Sequence, residues 1–380
     1  MPEPIPYGRQ LVEDDDVAAV VAALTSDFLT TGPEVAAFER DLELATGASH
    51  VVVVNSGTAA LHAAYDALGV AGGEVVIPPL TFAATGNAAL YLGARPVFAD
   101  VDPATGLIDV DQATAAVTDR TRAIVAVDYT GLPADYDGLR RAVAGRPVPI
   151  VADAAHSLGA HDGGRPVGTL ADATTLSFHP VKQITTGEGG AVATMDAGIR
   201  DRVATFRTHG ITRDRARLRA DEGPWHQEMQ HLGFNYRLTD VQCALGRSQL
   251  RKLRRFVERR RAIAARYDEA LGPVQSLAIP GRREGAESSW HLYVLRVARA
   301  DRRRTFFERL RAAGLGVQVH YPMVYDHPFY RDLGYRAGSC PVAEDYSRRA
   351  VSIPLFPAMT DADVDRVIET VTAASREVLD

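Results

Sequence analysis

Leu176-Ser177-Phe178-His179-Pro180-Val181-Lys182-Gln183-Ile184-Thr185-Thr186-Gly187-Glu188-Gly189-Gly190 is the stretch on which the reading of the fold turns. It joins two apolar runs, Ala173–Phe178 and Gly190–Thr194, which read as strands buried on both faces. The loop between them holds one cation, Lys182, and no other full charge until Glu188. The chain has only two lysines against forty arginines. Arginine cannot readily give up its proton near neutral pH and attack a carbonyl carbon, whereas lysine can. Lys252 sits in the basic run Arg251-Lys252-Leu253-Arg254-Arg255, where any cation would serve. Lys182 has no such explanation, and its small, turn-forming neighbours suit an amine presented for Schiff-base formation.

Outward from this loop the pattern is regular. The runs His50–Val54, Glu74–Pro78, Arg95–Ala99, Ala123–Val127 and Val148–Ala152 precede it, rich in valine and isoleucine and continuous rather than alternating. Helical patterns such as Thr58–Leu68 and Phe82–Leu92 lie between several of them. This predicts an α/β domain around a mostly parallel sheet of about seven strands, with Lys182 at the edge where such sheets bind their ligands. A long helix is expected from Thr239 to Ala270. Beyond it, strand-like His291–Val297, Val317–Tyr321 and Val351–Pro354 alternate with helices at Arg302–Ala313 and Asp361–Val378. The expected organisation is a large domain over residues 1–245, including an N-terminal arm, and a smaller α+β domain over 246–380.

Composition narrows the function classes. At 380 residues with 46% hydrophobic and 24% charged content, the chain can fill a substantial core. A net charge of −6 argues against nucleic acid as a partner. The basic block Arg247–Arg261 reads as the solvated face of a helix, since Leu250, Leu253 and Val257 fall at helical spacing. Cys243 and Cys340 give neither a disulfide framework nor a metal spacing and fit a reducing compartment, with Cys243 as core filler. The start Met1-Pro2-Glu3-Pro4-Ile5-Pro6 lacks the pattern of a signal peptide, and no run reaches the roughly 18 apolar residues of a membrane span. A cytoplasmic protein without a membrane partner or metal is expected.

Two further segments carry chemistry. Asn55-Ser56-Gly57-Thr58-Ala59-Ala60-Leu61 follows a strand and opens a helix, so its backbone amides and the Thr58 hydroxyl could hold a phosphate. It could equally be an ordinary capped turn. Val151-Ala152-Asp153-Ala154-Ala155-His156 ends a buried strand in an acid, which is costly unless a cation meets it; a protonated pyridine nitrogen would do so. The alternative is an N-capping aspartate beside a core histidine. Together, a phosphate turn, a strand-end aspartate and a lysine 29 residues later are the parts that pyridoxal 5′-phosphate requires.

These segments resemble the nucleotide-sugar aminotransferase family of DegT/StrS type, among the fold-type-I pyridoxal-phosphate enzymes. The likeness includes Thr30-Thr31-Gly32-Pro33 with Phe38-Glu39, the segments above, Gly233-Phe234-Asn235-Tyr236-Arg237-Leu238 and His320-Tyr321-Pro322. It implies Lys182 as the covalent anchor and proton shuttle, Asp153 on the ring nitrogen, and His156 at the ring hydroxyl. Ser56, Gly57, Thr58 and Ser177 would bind the phosphate and Phe82 would cover the ring. Asn235 would reach the phosphate of a neighbouring subunit, which implies a homodimer with shared sites. Thr31, His320 and Tyr321 would shape the sugar pocket. Relatives that exchange the lysine for histidine are dehydratases, and this chain keeps Lys182.

The resemblance further implies transfer of an amino group from glutamate to a keto-sugar. Val127-Asp128-Tyr129-Thr130-Gly131 and the Phe-His before Lys182 are most similar to the enzymes that aminate carbon 4 of a UDP-4-keto-6-deoxy-N-acetylhexosamine in the pseudaminic-acid pathway. Alternatives are a dTDP-linked 3- or 4-keto sugar, an aminocyclitol ketone, or a lyase built on the same cofactor.

Overall fold

A computed structural model of the chain describes residues 3–380; Met1 and Pro2, which open the expected N-terminal arm, lie outside the described residues. Seven strands form the central sheet: β1 (His50–Val54), β2 (Glu74–Ile77), β3 (Arg95–Phe98), β4 (Thr121–Val127), β5 (Ile150–Asp153), β6 (Ala173–Ser177) and β7 (Gly190–Thr194). Their order is β1-β7-β6-β5-β4-β2-β3. All pairings are parallel except those of β7, which runs antiparallel to both β1 and β6. The expected mostly parallel sheet is therefore present, with strand ends moved by a residue or two.

Continuous valine runs are explained by what each face meets. Val51 and Val53 join Val76, Ile124 and Ala126 in one apolar cluster, with Phe38 and Leu42 of a covering helix. On the opposite face, Val75, Ile77, Val125 and Val151 meet Leu61 and Tyr65, while Val52 and Val54 meet Ala59, Ala60 and Ala63. With period-two alternation and apolar layers on both sides, nearly every position of the central strands is buried, the exceptions lying mainly at strand ends and on the edge strand Arg95–Phe98.

A second core gathers the C-terminal elements. A three-stranded sheet, β8 (Leu277–Ala278), β9 (Tyr293–Val297) and β10 (Ala350–Ile353), packs with Ile263, Tyr267 and Leu271, with Phe306 and Leu310, and with Val364, Val367 and Val371 of the last helix. Ile5 is buried in this same core, and its backbone bridges to Leu315. The N-terminal segment thereby carries Tyr7 to the junction of the two cores.

Three expectations are corrected. The helix expected over Thr239–Ala270 is two, α1 (Asp240–Leu250) and α2 (Leu253–Leu271), broken at Arg251–Lys252 without glycine or proline. The break accompanies a tertiary ion cluster: Lys252 Nζ lies 2.5 Å from Asp15 Oδ1, 2.8 Å from Asp16 Oδ2 and 3.3 Å from Glu13 Oε2. Nor is the basic block simply a solvated face. Lys252 is buried, Arg260 has no exposure at all, and Arg247 pairs with Glu34 and Asp41. Finally, Val317–Tyr321 forms no regular strand; Gln318 makes a single bridge to Ser352, and the chain then turns His320 and Tyr321 toward the interior.

Replacing Lys252 by alanine would leave Asp16, which is wholly buried, without its cation. Urea unfolding is expected to show a loss of about 2 kcal/mol. A fully enclosed pair would lose ~3–5 kcal/mol, but water reaches Asp15 and Glu13.

Candidate active site

The carboxyl ends of β4, β5 and β6 and the turn after β1 border one cleft of about 470 Å³. Ser56, Gly57, Thr58, Phe82, Asp153, His156, Ser177, Lys182, His320 and Tyr321 all line it. Asn235 and Thr31 do not. Both are exposed; the Asn235 carbonyl accepts from Asn55 Nδ2 at 3.4 Å.

Ser56 caps the helix Gly57–Ala67, its hydroxyl accepting from Ala59 N at 3.1 Å. The N–H groups of Gly57 and Thr58 fall in the first turn, where a helix offers no acceptor. Gly57 lies so close to β6 that a Cβ there would stand 2.9 Å from Ser177 Cβ, and a Cβ on Gly190 would meet the Ser56 carbonyl at 2.5 Å. The backbone can thus approach an anion closely.

Asp153 closes β5 and is buried. Burial pushes its carboxyl above the usual range, opposed first by the Thr85 hydroxyl, which donates to Oδ2 at 2.6 Å, and then by Ala155 N–H and the Lys182 charge. No cation is bonded to it within the described residues. Thr85 is fixed in turn by the Thr81 hydroxyl at 2.8 Å and by Tyr65, whose hydroxyl donates to its carbonyl. On the neighbouring strand end, burial pushes Asp128 up to about 7, while Ser157, Tyr136 and the Ala134 N–H donate to it. That cluster fixes the turn that leads to His156.

His156 Nε2 is 3.1 Å from the Tyr321 hydroxyl, and its buried Nδ1 has no partner among the described residues. Its ring packs on His291 with centroids 4.3 Å apart. Burial holds both imidazoles far below the ordinary histidine value and His320 at about 4, so all three are neutral at pH 7. Gln183 and Ser289 donate to the His156 carbonyl. Burial also lowers the Lys182 ammonium to about 8, against the opposing Asp153 carboxylate and helped by the Arg260 guanidinium. Phe82, 63% exposed, stands at the cleft 6.2 Å from the Tyr321 ring.

These residues fit pyridoxal phosphate. A buried acid without a cation suits a protonated ring nitrogen, an unpartnered imidazole nitrogen suits a ring hydroxyl, and the glycine turn suits a phosphate. Thr85, Tyr7 and His291 also line the cleft, and the sequence reading missed them. The Thr81/Thr85 pair, four apart where a helix begins after β2, was the one signal for Thr85. Tyr7 and His291 reach the cleft only through tertiary packing.

Comparison with known proteins agrees. Residues 10–372 match the DegT/DnrJ/EryC1/StrS aminotransferase family. The spore coat polysaccharide biosynthesis protein SpsC of Bacillus subtilis is 37% identical over 373 residues, 97% of this chain and 96% of that protein. The structure of Helicobacter pylori PseC, an aminotransferase involved in the biosynthesis of pseudoaminic acid, superposes with a TM-score of 0.92 at 30% identity, over 99% of this chain and 100% of that one. A putative sugar aminotransferase of Streptococcus pneumoniae, solved in its PMP form, gives 0.93 at 30% identity over the same shares.

Two outcomes are expected. Capture of pyridoxal phosphate by cofactor-free protein, followed by absorbance, should accelerate about tenfold per pH unit while Lys182 is mostly ammonium and level off above about 8. Thr85→Val removes a charge-assisted hydrogen bond from Asp153 and should lower kcat by about 10- to 100-fold in steady-state assays.

Proposed function

The chain belongs to the DegT/DnrJ/EryC1/StrS aminotransferase family, and from that membership we propose that it moves the amino group of L-glutamate to carbon 4 of a nucleotide-linked 4-keto-6-deoxy sugar, UDP-4-keto-6-deoxy-N-acetylhexosamine. It is a pyridoxal-phosphate-dependent sugar aminotransferase. The observation that carries the reading is a buried, cation-free Asp153 sharing one cleft with an amine, Lys182, lowered to about 8. Likeness to PseC supports the acceptor.

Pyridoxal phosphate, when bound, supplies an aldehyde that takes up amines and a ring that draws electrons from the carbon beside the nitrogen. Lys182 would hold the aldehyde, Asp153 the proton on the ring nitrogen, and His156 the ring hydroxyl. Ser56, Gly57, Thr58 and Ser177 would hold the phosphate, with Phe82 over the ring. Lys182, released as a neutral amine, takes the α-proton of glutamate and later delivers a proton to carbon 4 of the sugar. Its lowered pKa makes it a base at neutral pH, and the neutral histidines add no competing cation. His320 and Tyr321, which line the cleft, would shape the sugar pocket; Thr31 lies outside the cleft of its own chain.

We place residues 1–245 in the cofactor-binding domain and 246–380 in the small domain, and the enzyme in the cytoplasm as a homodimer. No arginine lines the cleft among the described residues, although glutamate and a nucleotide diphosphate both carry anions. A second subunit is the natural source of further polar groups, Asn235 of the partner subunit among them. Exposed Val17, Val21, Leu24, Phe28 and Leu29 near the N-terminus, with Trp225, Met229 and Leu232, supply apolar surface for that contact.

The test is incubation with pyridoxal phosphate, glutamate and a panel of UDP- and dTDP-linked keto-sugars and an aminocyclitol ketone, read by mass spectrometry and 2-oxoglutarate formation. Amination of the UDP-4-keto sugar with matching 2-oxoglutarate is expected; turnover of another acceptor alone reassigns the substrate. Glutamate consumed without any acceptor would point to a lyase. Lys182→Arg should abolish turnover, since a guanidinium keeps its proton. Asp153→Asn should lower kcat by on the order of 10²–10³, as loss of a buried ion pair would.

A further inference from the structure

Arg260 has no solvent exposure and is the largest side chain so enclosed. Burial brings its proton affinity down to about 10, and among the described residues no carboxylate forms an ion pair with it. Its guanidinium donates instead to backbone carbonyls of three separate segments. Nη1 reaches Leu355 O at 2.8 Å and Trp290 O and His291 O at 3.3 Å; Nη2 reaches Val181 O and Lys182 O, both at 3.5 Å. These segments are the Lys182 loop, the lead-in to β9 that carries His291 into the cleft, and the chain leaving β10. Trp290 sits at φ 51, a left-handed conformation that a bulky residue keeps only when its surroundings impose it. A buried, unpaired cation and a strained turn are both costly, and here they meet behind the same amine.

We propose that Arg260 is a positioning residue for Lys182. Its guanidinium fixes the carbonyl of the lysine itself and those of the two segments that wall the cleft, and it sets a permanent positive charge behind the amine. Asp153 and Arg260 are the two charges that act on Lys182. The surrounding His156, His179, His291 and His320 are neutral at pH 7, and Glu188 lies exposed at the cleft's edge. Lysine at position 260 could not fork between three segments and, in so enclosed a place, would hold its proton less firmly than arginine; glutamine would lose both charge and fork.

The proposal rests on Lys182 being the reactive amine, but its first test needs neither cofactor nor turnover. Because the chain has only two lysines, brief amine acylation of the full-length protein across a pH series, read by peptide mass spectrometry, follows Lys182 with Lys252 as an internal reference. In Arg260→Gln the Lys182 midpoint should rise above about 8 yet stay short of the ordinary 10.5, because burial, the main cause of the lowering, remains; labelling below the midpoint should fall about tenfold per unit of rise. Lys252 should not change. In Arg260→Lys the midpoint should lie between those of wild type and Arg260→Gln while kcat falls about tenfold or more, with the KM for glutamate little altered. An unchanged midpoint in Arg260→Gln, or wild-type kcat in Arg260→Lys, overturns the proposal. Loss of the folded circular dichroism spectrum in both variants would make Arg260 purely structural and overturn it too. An altered Lys182 midpoint in protein that transfers no amino group would instead indict the functional reading alone.

Discussion

A carboxylate buried at the end of a strand, with no cation bonded to it, is the constraint around which the cleft is organised. Desolvating Asp153 raises its affinity for a proton, and its neighbours only partly oppose this. Thr85 donates a short hydrogen bond to it, and Tyr65 and Thr81 hold Thr85 in place. The Asp128 cluster fixes the turn immediately beyond it. Such an arrangement is stable as an ionised acid only when a cation enters, and the protonated ring of pyridoxal phosphate has the required charge and shape.

The same low dielectric acts on the amine with opposite sign. Burial disfavours the Lys182 ammonium, Asp153 favours it, and Arg260 disfavours it again. With the histidines of the cleft neutral at pH 7, the balance is set by burial and by the two charged groups, Asp153 and Arg260. Lysine is the residue that can respond, because an ammonium deprotonates within reach of neutral pH and a guanidinium does not. This gives physical content to the scarcity of lysine. Lys182 occupies a place where an arginine would remain charged, whereas Lys252 serves as a compact cation among three carboxylates.

Much of the fold was legible because its signals are local. Buried strands need unbroken apolar runs, and all seven runs became strands of the central sheet. The turn at Gly57 and the acid at Asp153 were legible for the same reason: a helix start and a strand end are defined by neighbouring residues. The break at Arg251–Lys252 was not legible. Nothing in its sequence interrupts a helix, and what accompanies it is an ion cluster with Glu13, Asp15 and Asp16, more than two hundred residues away. Val317–Tyr321 looks like a strand by composition, but its neighbours hold it otherwise. Tyr129 donates to the His320 carbonyl and Ser347 to that of Tyr321. Thr85, Tyr7, His291 and Arg260 escaped notice because each residue type is ordinary at its place in the chain.

By itself the sequence determined the alternation of strands and helices, the residues that close the strands, and the one lysine offered on a loop. These follow from periodicity and residue chemistry, which need no knowledge of distant partners. Only the tertiary structure decided which charges are buried and what faces them: that Asp153 meets Thr85 rather than a cation, that His156 lies on His291, and that Arg260 stands behind Lys182. The reason is that burial and Coulomb interaction depend on distance in space, and folding brings together residues whose separation along the chain carries no trace of it.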